Sequence, residues 1–121
     1  MKITAIYVSL TLALAATSVP AVAEEFDVVD TREEFISAIT GRELTRVGIR
    51  LEVTDSGVIE GRAFGTPVSG AWNWSDGYFC RDLYYGERDL GSNCQQVAIR
   101  DNTIRFTSDF GNGDYADLRL R

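Results

Sequence analysis

With no histidine anywhere and its only lysine at position 2, the 121-residue chain confines reactive chemistry to carboxylates, tyrosines, arginines and one pair of cysteines. That excludes Ser-His-Asp and Cys-His nucleophiles and an imidazole base, and beyond Lys2 it excludes a Schiff-base lysine or a Ser-Lys pair. Histidine-ligated metals go the same way. No G-x-G-x-x-G turn follows an expected strand and opens a helix, so nicotinamide and flavin cofactors have no cradle. Gly111-Asn112-Gly113 joins two expected strands and lacks the helix N-terminus that would hold a phosphate. A glycosidase-like carboxylate pair is the one enzyme class these residue types allow. With 18 acidic residues in so short a chain, some pair reaches such a distance by chance. No catalytic residue and no cofactor follow from this inventory.

Cys80 and Cys94 are spaced for neither a C-x-x-C redox turn nor, without histidine, a zinc tetrahedron, and a disulfide is the expectation. The densest segment surrounds the first of them, over residues 70–81. Trp72 and Trp74, two apart on a strand, share one face. Turned inward they are core; turned outward they form an aromatic platform for a sugar, a flat ligand or a partner. Tyr78 and Cys80 fall on one side of the next strand, which suggests tryptophans packed on the disulfide. Arg81, Asp82, Tyr84, Tyr85 and Arg88 then load the stretch between the cysteines with polar and aromatic groups. Residues 84–93 read as a loop closed by the disulfide, and an ordered loop of that composition is a natural recognition surface. The plainer reading pairs Arg81 with a carboxylate on a neighbouring strand. Asp109, Asn112 and Asp114, set among glycines, offer oxygen ligands to a hard cation. They lack the EF-hand pattern and its bidentate Glu, and a simple hairpin loop accounts for them.

The elements that must carry these residues are mostly strands. Thr31 and Glu34 form a capping box, Phe35, Ile36 and Ile39 give a narrow apolar stripe, and Gly41 closes a short helix expected to plug or pack on something larger. From residue 42 the period changes to two. Expected strands run over 49–53, 58–64, 68–75, 78–83, 94–99, 103–108 and 115–120, with 43–47 as a possible eighth. Asp76-Gly77 is the strongest hairpin signal. Gly61 and Gly65 read as places where a bulge bends the sheet, and Gly61 with Ala63 facing inward leaves room for a cavity near the tryptophans. Short connections force antiparallel neighbours. The fold class is therefore mainly β: a short N-terminal helix and a meander of seven or eight antiparallel strands, curled into a small up-and-down barrel or a two-layer sheet.

Residues 1–23 resemble a secretory signal, with Lys2, an apolar run from Ile3 to Ala16, Pro20 and an Ala21-Val22-Ala23 cleavage site. Residues 24–121 then form one small domain, periplasmic or secreted, with no membrane span left after cleavage. Removing Lys2 from a net charge of −6 leaves −7 on that domain, whose basic residues are all arginine. Such a balance disfavours nucleic acid and anionic lipid and favours a basic partner.

A wider frame is also present: Gly41-Arg42-Glu43-Leu44, Gly48 with the Ile49/Leu51/Val53 strand, Gly57 and Gly61, residues 70–74, residues 76–81, Asn93-Cys94-Gln95 and Arg105-Phe106. It resembles a group of small exported alphaproteobacterial proteins, often labelled dihydrodipicolinate reductase, across nearly all of residues 24–121. The label implies NADPH-dependent reduction. The nucleotide-binding turn and the His/Lys motif of true reductases have no matching positions here, so no residue role carries over. A looser, purely architectural likeness is to periplasmic lysozyme inhibitors and lipocalin-like barrels. The expectation is a non-enzymatic binding or protein-interaction module. A small apolar-ligand carrier and the reductase of the label are the alternatives.

Overall fold

Two-residue turns decide the topology. Phe64-Gly65 (φ 51° and 80°) and Asp76-Gly77 (φ 50° and 86°) are left-handed at both positions, the geometry whose twist suits tightly joined antiparallel strands. The computed structural model describes residues 25–121 and the single residue Thr4, so the leader expected over residues 1–23 otherwise lies outside the described residues. The described chain runs β1 (Asp27–Val29), α1 (Arg32–Ile39), β2 (Leu44–Arg46), β3 (Ile49–Val53), β4 (Val58–Ala63), β5 (Thr66–Ser75), β6 (Tyr78–Tyr85), β7 (Arg88–Arg100), β8 (Thr103–Thr107), a single turn α2 (Ser108–Gly111) and β9 (Tyr115–Leu120). No helix among the described residues is long and apolar enough to cross a membrane.

Strands β2 to β9 each pair antiparallel with the next, and β9 returns to β2 through Leu44↔Leu120 and Thr45↔Arg119. The meander thus closes into an eight-stranded up-and-down barrel, one of the two forms its short connections allow. The extra strand β1, too short to show a period in sequence, lies along the last part of β7 (Val29↔Val97, Asp27↔Ile99), beyond the point where β6 stops pairing at Phe79↔Gln95.

The helix forms where its cap is. Thr31 Oγ1 accepts from the Glu34 amide at 3.2 Å, and the chain turns out at Thr40 and the left-handed Gly41. Phe35 and Ile39 on its apolar face are fully buried. The Phe35 ring lies 5.1–6.4 Å from those of Trp72, Trp74, Phe79 and Phe106, so α1 stoppers one end of the barrel.

Three local expectations are corrected. Residues 84–93 are not a loop: β6 and β7 run on past the disulfide to a tight turn at Gly86-Glu87, with Tyr84↔Asp89 and Tyr85↔Arg88 in register. Charged and aromatic side chains pointing outward from a hairpin look like loop composition. Second, the bulge lies in this hairpin, where the register shifts between Asp82 and Tyr84, and not at Gly61 or Gly65. Gly61 sits in unbroken register; a Cβ there would run into the Arg50 carbonyl, so its role is close strand approach. Third, Thr66 and Pro67 belong to β5, opposite Ala63 and Arg62.

On the outer face, Arg105 of β8 clasps its partner Asp117 of β9 with two hydrogen bonds, 2.8 and 3.0 Å, while its guanidinium lies 4.0 Å from the ring centroids of Phe26 and Tyr115. The Arg105 hydrogen bonds hold the Asp117 carboxyl below the usual carboxylate range; partial burial opposes them, and the charges of Arg105, Arg100 and Arg46 add to them. A depressed folded-state pKa contributes stability above the unfolded value that disappears as pH falls through the folded one. The stability gap between the native protein and Asp117→Asn, read from urea midpoints, is therefore expected at neutral pH and should close below about pH 4. A gap unchanged between pH 7 and the acid limit contradicts this.

Candidate functional site

Alternation along β6 sends Phe79, Arg81 and Leu83 into the barrel and Tyr78, Cys80, Asp82 and Tyr84 outward. The inward row faces a cavity of about 190 Å³, walled mainly by aliphatic side chains from β2, β3, β4 and β9, among them Leu44, Leu51, Ile59, Ala116 and Leu118. Phe79 and Phe106 touch Phe35 of the helix and also line the cavity, so plug and cavity share a wall. Only Arg81 and Gln95 bring polar side chains to it. Gln95 is buried, with its amide nitrogen 3.3 Å from the Ser108 hydroxyl.

Arg81 is the unusual member. Its Nη1 donates to the Gly91 carbonyl at 2.8 Å. Gly91 (φ 79°) stands at the bulge, where the left-handed backbone is free for glycine. Among the described residues no carboxylate forms an ion pair with Arg81. Asp82, next in sequence, faces outward and accepts a hydrogen bond from Ser92 Oγ. Burial pulls the Arg81 guanidinium down from the ordinary arginine value, and the Asp82 charge pulls the other way. The group stays charged at neutral pH. A five-donor cation with one hydrogen bond among the described residues thus borders an apolar cavity.

The other sequence-selected residues lie elsewhere. Trp72 is only 6% exposed and donates its indole N–H to the Thr54 carbonyl at 2.8 Å. Trp74, half-buried, stacks on Phe35 and points its N–H at the Asp30 carbonyl, 3.3 Å away. Neither lines the cavity, nor do Gly61 and Ala63; the Trp72 ring lies behind the Phe79 wall, 5.5 Å from that ring, so the cavity is near the tryptophan pair without touching it. The disulfide joins Cys80 and Cys94, direct cross-strand partners with Cα atoms 3.9 Å apart. It lies on the outer face, so the expected packing of tryptophans on the disulfide does not form: the rings point in and the sulfurs out. Tyr78, also outside, meets Phe110 edge-on at 5.0 Å. Tyr84 and Arg88 are exposed on the β6–β7 hairpin, and Tyr85 is half-buried.

Asp109 is engaged with its neighbours. Its carboxylate accepts from Asn93 Nδ2 at 2.8 Å, its amide donates to Asn93 Oδ1 at 3.0 Å, and its carbonyl accepts from Asn112 Nδ2 at 3.0 Å. With Asp109 and Phe110 both left-handed, this is a locked turn, and among the described residues no group of three acidic or cysteine side chains is placed to hold a metal, Asp114 included. Gln95, Leu83 and Ala116 were missed by sequence reasoning, although alternation carried through β6 from Phe79 would have put Leu83 beside Arg81. Compared with known proteins, the chain matches no family model, no curated protein and no solved structure.

Proposed function

We propose that the protein binds a small amphipathic acid within its barrel, the apolar part filling the cavity and the carboxylate meeting Arg81. One observation carries this: a half-buried guanidinium, held among the described residues by a single backbone carbonyl, faces walls that are otherwise nearly all hydrocarbon. Pockets of small ligands have this composition, apolar lining with one or two orienting polar groups. The reading is the carrier alternative among the sequence expectations, supplied with an anchor. A cavity of about 150 Å³ is enough to hold benzene, so about 190 Å³ selects a single ring or a short chain. The Cys80–Cys94 bond favours an oxidising compartment, which supports an exported binding protein.

Octanoate and 1-octanol, equal in chain length, separate the charge contribution from the apolar one in calorimetric titrations of the disulfide-intact protein. A hydrogen bond to a charged group contributes about 1.5–3 kcal/mol, so octanoate is expected to bind at least about tenfold tighter than the alcohol. Arg81→Gln should erase that ratio while leaving octanol binding in place. Ala116→Leu, which fills the cavity, should weaken both ligands. Equal affinity for acid and alcohol in the native protein, or a preference that survives Arg81→Gln, sinks the reading.

A further inference from the structure

The net charge conceals a local excess of arginine on one part of the surface. Strand register aligns Arg119 of β9, Thr45 of β2, Arg50 of β3 and Arg62 of β4 in one row across four neighbouring strands. All three arginines are exposed, and Arg46 and Arg121 join them around the same shallow groove. Around five guanidinium groups the groove holds the Glu43 carboxylate, 3.3 Å from Arg50 Nε, and the Glu52↔Glu60 pair borders Arg50 and Arg62 on the same outer face, which leaves arginine in excess. Arg50 and Arg62 are direct cross-strand partners, a like-charge pair that Glu43, Glu52 and Glu60 offset only on one side, leaving the side toward Arg46, Arg119 and Arg121 for an anion.

Two apolar hairpin tips stand beside this row. Val47, in the β2–β3 turn, is 92% exposed, and Phe64, in the β4–β5 turn, is 71% exposed. They are held together: the Phe64 amide donates to the Gly48 carbonyl at 2.7 Å, and the Phe64 ring occupies the space where a side chain at residue 48 would go. Phe64 has φ 51°, so the turn fixes it outward at the cost of a left-handed backbone. Exposed apolar tips flanked by arginines match the layered chemistry of a bilayer surface, phosphate outside and hydrocarbon just beneath. A dissolved polyanion would engage the arginines and leave Val47 with no gain.

The geometry points to this end of the barrel as a docking surface for anionic lipid membranes, with the arginine row on headgroup phosphates and Val47 and Phe64 dipped into the interface. The inference is independent of the cavity and of Arg81. Flotation of the purified, disulfide-intact protein with vesicles tests it. Binding is expected to phosphatidylglycerol/phosphatidylcholine mixtures, weakly or not at all to pure phosphatidylcholine, and should fall as salt shortens the screening length. Arg50→Gln with Arg62→Gln should weaken binding about 20-fold or more, and Phe64→Ser about fivefold, with thermal unfolding of each variant compared against the native protein. Absence of capture on the anionic vesicles, equal capture on neutral ones, or indifference to the arginine pair overturns the inference. Heparin binding as tight as vesicle binding, together with indifference to Phe64→Ser, would reassign the surface to soluble polyanions and overturn it as well.

Discussion

Phe35→Ala is expected to lower stability by about 3–5 kcal/mol, the range for deleting a fully buried phenylalanine. The ring has no exposed surface and meets four other aromatic rings contributed by β5, β6 and β8, so no single neighbour can swing in to fill the hole. Ile39, one turn on, is nearly as buried and anchors the same short helix. With only eight residues, α1 has little stability of its own and is held by these two side chains and the Thr31 cap. Since a domain of this size keeps about 5–15 kcal/mol in all, the variant should lose a large part of its margin. Denaturant midpoints measure the loss. Tryptophan emission should shift to the red, because Trp72 and Trp74 would lose the ring that separates them from solvent. A cost under about 1 kcal/mol would show that α1 does not stopper the barrel.

Much of this architecture was legible in the residue order. The Thr31 cap, the period-two stretches, and the Asp76-Gly77 turn each act over a few neighbouring positions, so they can be read without tertiary knowledge. The antiparallel order followed from short connections, whereas closure into a barrel and not a two-layer sheet rests on the pairing of β9 with β2, far apart in sequence. What could not be read depended on contacts far apart in sequence. Whether Arg81 faces in or out turns on the phase of β6, which the dense polar run after Cys80 obscured. The bulge at Gly91, which supplies the carbonyl for that arginine, becomes visible only once β6 and β7 are paired. The arginine row arises from the alignment of β9, β2, β3 and β4, and Arg119 lies more than 50 positions from its neighbours in that row. A summed charge of −6 carries no trace of it.

Removing the Cys80–Cys94 bond is expected to be nearly as costly as losing Phe35, by a different physical route. The bridge closes a separation of 14 residues, which corresponds to about 3 kcal/mol of unfolded-chain entropy. For a domain of roughly this length that amounts to a fall of about 10–20 °C in Tm. Because the sulfurs lie outside the barrel, Cys80→Ala with Cys94→Ala opens no hole in the core, and the native packing of Phe79 and Trp72 should survive. The two variants are therefore distinguishable in denaturant. Loss of the cross-link expands the unfolded ensemble and should raise the m-value, whereas Phe35→Ala should leave it nearly unchanged. Within the folded state the consequence is local. Arg81↔Asn93 is the pair next to the bridge, and the Gly91 carbonyl that holds the guanidinium lies just beyond it. Hydrogen exchange should accelerate over residues 82–92, and the octanoate-over-octanol preference should shrink along with it. A Tm shift under about 3 °C would mean that the barrel, and not the bridge, keeps the β6–β7 hairpin in register.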